Sequence, residues 1–305
     1  MKIRSRILFI LLLFALVGAV TWQVLKSREP EYKGKHLGEW LAHAGVAEFR
    51  IGPNVTSKDS AAEILEAHNA VQHIGSQAIP TLLRMLEKND SNLASKLEGL
   101  ARSHSFIKLH FTNDGFFFLN HHFVRPDFAN ARAEIGFKIL GAVASNAVPD
   151  LMRIYEQNIS KSSRIFTAIS LGHVGPAAKD AIPLLMAAVT NSDSLTSIIG
   201  LKALGDIHAA PSAVVPLLIT TFANTNNSMP VRMTAASILR QFGSDARLAV
   251  PALLEMLDQI GQQSAENKKA GQLPDNFVQR LQEVLQKIDP ETAAKVLSLN
   301  AANKK

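Results

Sequence analysis

The chain has 305 residues, 47% of them hydrophobic, with two Trp, two Tyr and no cysteine. The missing cysteine excludes disulfides, thiolate zinc sites and cysteine nucleophiles. The pI of about 9.5 invites a nucleic-acid partner, but residues 1–35 carry seven of the 32 basic and two of the 26 acidic side chains. That is +5 of the total of +6, and it leaves 25 bases against 24 acids in the rest. A phosphate-binding surface needs clustered positive charge, so no nucleic acid is expected.

Residues 1–6 hold Lys2, Arg4 and Arg6, and residues 7–25 follow without a single charge. Nineteen residues at about 1.5 Å each nearly match a bilayer core of about 30 Å. Residues 1–26 are therefore expected to form an N-terminal signal anchor, a transmembrane helix. Cleavage at Val17-Gly18-Ala19, giving a secreted chain, is the alternative. With the basic end kept in the cytoplasm, the body lies beyond the membrane. In a bacterium that means a single-pass inner-membrane protein facing the periplasm.

Residues 27–59 read as a leader. A charged linker from Ser27 to Lys35 contains Pro30, a short helix covers Leu37 to His43, and residues 49–58 form a loop marked by Gly52 and Pro53. Ser60 is expected to cap the next helix. Its apolar positions are Ala61, Ile64, Leu65, Val71 and Ile74, and it ends at Gly75.

From residue 60 to about 300 the chain repeats itself. Pro80, Pro149, Pro183, Pro216 and Pro251 each follow Ile or Val, and the last three gaps are 34, 33 and 35 residues. The first gap, 69, is close to two periods. A fixed period in this range marks a stacked-repeat array. Proline suits the first turn of a helix, where its missing N–H would be unpaired anyway, so each proline opens the second helix of a pair. Gly141, Gly175 and Gly243, eight residues upstream of their prolines, are expected to end the first helix in a left-handed cap. Apolar residues stand two, three, five and six positions past the proline, such as Leu151, Met152, Ile154 and Tyr155. They form one stripe of an amphipathic helix. One hairpin cannot bury that stripe alone, so stacking supplies the core.

The period fails between Pro80 and Pro149. Residues 92–109 still read as helical, but residues 104–128 hold seven of the fifteen Phe and four of the ten His. The run Phe116, Phe117, Phe118 in this insertion either seals a gap in the array or offers an apolar patch to a partner. His104, His110, His121 and His122 are read as surface or packed histidines, and no metal site is expected. After the insertion, Ala129 to Leu140 restarts the pattern. The array ends with helices from Phe277 to Ile288 and, after Asp289-Pro290, to Leu299. Residues 262–272 read as a loop and 301–305 as a tail.

The segment of a small residue, Ile or Val, Pro and Leu-Leu, as in Ala181-Ile182-Pro183-Leu184-Leu185, resembles the short bacterial HEAT repeats of the phycobilisome-lyase type. The leader around Trp40 and Leu41 resembles one seen ahead of membrane-anchored HEAT proteins. The resemblance implies an all-α solenoid, a HEAT-like superhelix, whose second helices line the concave face. On that face the positions four past the prolines read Arg84, Arg153, Ala187, Thr220 and Glu255. Those seven past read Glu87, Glu156, Thr190, Ala223 and Asp258. These residues and the Phe run are the candidates for binding a protein or an extended peptide. No catalytic signature is present, so no catalytic residue and no cofactor is expected. The function expected is a non-catalytic interaction scaffold, and the alternative is a lyase-like enzyme or enzyme subunit.

A reporter active only outside the cytoplasm, fused after Lys305, should be active. Intact mass should show residues 1–25 retained, whereas an N-terminus near Val20 would establish cleavage.

Overall fold

A computed structural model describes residues 29–49, 58–88, 110–111, 117–118, 129–190, 193–266 and 277–302. The expected membrane-spanning run, the helix expected at 92–109, Phe116, His104, His121 and His122 lie outside these residues. Among the described residues no helix is long and apolar enough to cross a membrane.

A hairpin of β1 (Glu31–Tyr32) and β2 (Lys35–His36) leads into α1 (Leu37–Phe49), α2 (Lys58–Ile74) and α3 (Ile79–Leu86). Two short strands, β3 (His110–Phe111) and β4 (Phe117–Phe118), pair antiparallel, with His110 opposite Phe118. Then follow α4 (Ala129–Leu140), α5 (Val148–Gln157), α6 (Lys161–Val174), α7 (Ile182–Val189) and α8 (Ser194–Ile207). The chain continues through α9 (Pro211–Ala223), α10 (Met229–Phe242), α11 (Val250–Glu266), α12 (Phe277–Ile288) and α13 (Pro290–Ala302). The fold is all-α.

Each glycine-proline turn is a 3₁₀ segment, as in Gly141–Ala147, Gly175–Ala181 and Gly243–Ala249. Gly175 has φ 72° and ψ −148°, and Gly243 has φ 54° and ψ −128°. Both differ from the expected left-handed cap: they occupy an extended region of positive φ that only glycine enters without strain. The small residue before Ile/Val-Pro is also explained. Ala78, Ala147, Ala181 and Ala249 are all buried, where a larger side chain would push the two helices apart.

Proline opens α3, α5 and α7 as expected, but not α9. There Pro211 takes the first turn and Pro216 lies inside the helix. The cause is upstream. Where the other units have glycine, this unit has His208, left-handed at φ 48°, and the 3₁₀ segment is missing. The chain turns instead through Ala210, also at φ 48°.

α2 starts at Lys58, so Ser60 is not its cap. Leu65 is 62% exposed, and Ala67, Ala70, Val71 and Ile74 form the buried stripe. Spacing explains this, because 67, 70, 71 and 74 lie on one side of a 3.6-residue helix and 65 does not. The expected linker at 27–35 contains the β1–β2 hairpin, and α11 runs to Glu266 into the stretch expected as a loop.

The first helices α4, α6, α8, α10 and α12 each touch the next, and among second helices α3 touches α5, α7 touches α9, and α9 touches α11. α1 and α2 pack on each other and both on α4. One continuous apolar cluster runs from Leu37 to Ala293. The residue two past each proline, namely Leu82, Leu151, Leu185, Leu218 or Leu253, is fully buried.

Truncating Leu185 or Leu218 to Ala should each cost about 2–5 kcal/mol. Thr220→Ala, at an exposed position, should stay within about 0.5 kcal/mol. Urea melts of the three variants check this, and equal costs would show the stripe assigned to the wrong face.

Candidate functional site

The positions four and seven past each proline form a single surface row on the second helices. Arg84, Arg153, Ala187, Thr220 and Glu255 are exposed, as are Glu156, Thr190, Ala223 and Asp258, while Glu87 is half-covered. At the α3–α5 end the row is tied to itself. Arg153 Nη2 lies 3.0 Å from Glu87 Oε1 and 3.3 Å from Asp150 Oδ1, and Arg84 Nη2 donates to Thr81 Oγ1 at 2.9 Å. These exposed pairs contribute little stability; of the three, Arg153–Glu87 crosses from α5 to the end of α3. Glu87 and Asp150 raise the Arg153 guanidinium above its usual range, Glu87 foremost.

The middle of the row is small and neutral. Thr220 turns its hydroxyl back onto the carbonyls of Pro216 and Leu217. At the α11 end Glu255 accepts a hydrogen bond from Gln259 at 3.2 Å, and Asp258 stands exposed beside it. Of the Phe run, Phe117 and Phe118 form β4, apart in sequence from this row, and Phe116 lies outside the described residues.

A second set of side chains was not anticipated from the sequence. It sits nineteen residues before each of the last four repeat prolines, at the start of the first helix: Asn130, Arg164, Ser197 and Arg232. Asn130, Arg164 and Arg232 meet the end of the preceding second helix. Asn130 Nδ2 donates to Leu86 O at 2.8 Å, and Ser163 Oγ donates to the same carbonyl at 2.6 Å. Arg164 stacks over the Tyr155 ring, 5.0 Å from its centroid. Arg232 Nε donates to Phe222 O at 2.8 Å, and its guanidinium lies 6.0 Å from the Phe222 centroid. Burial draws the Arg232 pKa below its usual value. Leu86, Tyr155 and Phe222 all stand six past their prolines. A comparison of units at the minus-nineteen offset carries this signal, whereas one confined to residues after the proline misses it.

The first helices approach one another closely through glycine. A Cβ at Gly172 would lie 3.2 Å from Ala203 Cα, and one at Gly205 would lie 2.6 Å from Ile238 Cδ1. Both glycines stand eleven before their prolines, where the next unit has Arg240. A polar groove of about 650 Å³ opens there between α10 and α12, lined by Arg240, Gln241, Gln279, Gln282, Glu283, Gln286 and Lys287. A smaller cavity of about 310 Å³ lies between α5, α6 and the start of α8, with Tyr155, Ile165 and Ile199 on its walls beside Lys161, Arg164 and Asp193. Asp193 caps α8, and its carboxyl is held below the usual range, chiefly by the Thr196 hydroxyl.

On the same first-helix side, His173 Nε2 bonds Glu134 Oε1 across α4 and α6, with both side chains mostly covered. Asp206 of α8 lies next along. Burial pushes its carboxyl above the ordinary range, while His173 and Lys202 pull the other way. Asp206 thus holds its proton more tightly folded than unfolded. Its stabilising contribution is present at low pH and lost as pH rises through the folded pKa. Among the described residues no group of three or more His, Asp or Glu is arranged to hold a metal ion.

Arg232→Ala should cost about 2–3 kcal/mol, because it strands the Phe222 carbonyl and removes packing from the ring. Arg232→Lys should recover less than half, since an ammonium cannot cap and stack at once. Urea midpoints decide this, and a loss below about 0.5 kcal/mol in the Ala variant would show the cap to be incidental.

No family model matches this chain, and no curated protein matches it in sequence.

Proposed function

We propose that the helical hairpins stack into a HEAT-like α-solenoid held at the bacterial inner membrane by residues 7–25, with its body in the periplasm. In this reading the solenoid is a non-catalytic scaffold that binds a protein or an extended peptide along the row of second helices. One observation carries the reading. Every unit buries the residue two past its proline and leaves the residue four past it exposed, so a surface of constant orientation recurs with each repeat.

The chemistry along the row fits a long ligand better than a compact one. Ala187, Thr190, Thr220 and Ala223 let a partner's main chain come close without displacing long side chains. The acids Glu255 and Asp258 favour a partner whose corresponding end is basic. Arg84, Glu87, Arg153 and Glu156, with Arg153 paired to Glu87, form a polar rim at the other end. The Phe run at 116–118 remains a candidate second contact of the same scaffold.

A photo-crosslinking residue placed at Ala187 or Thr220 in cells should capture one common partner, and the same residue at exposed Lys179 should not. Reversing charge in Glu255→Lys/Asp258→Lys should abolish that capture. Equal capture from Lys179, or none from the row, would remove the proposed binding face.

A further inference from the structure

We propose that the β1–β2 hairpin is a rigid collar that seats α1 and α2 against the headgroup layer of the bilayer, rather than a slack tether. The inference rests on the membrane placement above and adds the surface that meets the lipid.

The length of chain beyond the hairpin sets the distance. The uncharged run ends at Leu25, and only Lys26, Ser27 and Arg28 stand between it and Glu29. Four residues at about 3.6 Å each reach at most about 14 Å, even fully extended. Whatever fixes Glu29 therefore fixes the height of the array above the membrane.

Glu29 is fixed. Its carboxylate accepts from the Gly38 N–H at the start of α1. A Cβ at residue 38 would lie 2.8 Å from that carboxylate oxygen, so a side chain there would push the carboxylate aside. The carbonyl of Pro30 accepts from Leu37 N at 2.9 Å, and Trp40 Nε1 donates to Tyr32 O at 3.1 Å. Contacts to α2 complete the clamp. The Tyr32 ring lies 4.3 Å from the His73 ring, and Lys33 Nζ lies 3.1 Å from Glu66 Oε1. Lys35 Nζ sits 4.5 Å over the Trp40 ring. The Trp40 ring is buried, so these aromatics are spent on holding the hairpin and not on entering lipid.

The collar's outer side then faces the bilayer with Glu31, Lys33, Gly34 and His36, all exposed. Both signs of charge are present, which suits a headgroup layer that carries phosphates and ammonium groups together. Across residues 29–36 two acids, Glu29 and Glu31, balance two bases, Lys33 and Lys35, so the hairpin itself does not select anionic lipid.

The chain has no cysteine, so single labels can be placed cleanly on the full-length protein. Nitroxides at Val17→Cys, His36→Cys and Leu248→Cys, with Glu31→Cys as a second hairpin site, are examined in phosphatidylcholine nanodiscs. The readout is collision with oxygen against a water-soluble nickel chelate. Residue 248, 73% exposed in the turn before α11, is the aqueous reference. The expected result has residue 17 immersed, and residues 31 and 36 losing most nickel collisions relative to 248. Residue 17 immersed with 31 and 36 matching 248 would overturn the collar while leaving the anchor intact. Residue 17 in water would overturn both.

Discussion

Two second helices, α3 and α9, end with carbonyls that have no partner within the helix, and side chains from later units satisfy them. Asn130 and Ser163 converge on the carbonyl of Leu86, and Arg232 takes that of Phe222. An unmet buried carbonyl costs more than a met one gains, so these contacts matter chiefly by what their loss would expose. They also link helices that apolar packing alone would leave free to slide. Because the two side chains at Leu86 come from α4 and α6, three successive hairpins are registered at one oxygen.

The two sides of the molecule solve different problems. On the first-helix side, Gly172 and Gly205 remove side chains so that helices approach closely, and the cost in helix propensity is offset by contact. At the same offset in the next unit stands Arg240, which lines the groove between α10 and α12. On the second-helix side the helices meet through aliphatic stripes and leave a row of exposed positions that varies in charge from end to end. The first side thus sets spacing, and the second is free to vary.

Much of this was legible in the sequence because proline and glycine act locally. The bounds of α4 and α12, the proline starts of α3, α5 and α7, and the burial of Leu82, Leu151 and Leu253 follow from a period and a stripe. The reading failed where a local signal was replaced. Pro216 looks like every other repeat proline, yet Pro211, five residues earlier, claims the first turn. Nothing before Pro216 can adopt the glycine turn, so the helix starts early. The capping side chains were missed for another reason: Asn, Arg, Ser and Arg share no residue class, and only their place relative to the preceding helix end unites them. The hairpin at residues 31–36 was hidden by its charge, since its strands are two residues long and their partners lie in α1 and α2.

Among the described residues, the turn before α9 places two non-glycine residues at positive φ. His208 and Ala210 both stand at φ 48°, a conformation that costs a residue with a Cβ roughly 1 kcal/mol. The unit is held together by Val214, Val215, Leu218 and Phe222, all buried. Sequence drift is therefore constrained unevenly along the chain. A unit with the glycine turn can lose a methyl group from its core and keep its shape, because its backbone is at rest. In the α9 unit the same loss falls on packing that already holds a strained turn in place, so it is the repeat least tolerant of neutral change.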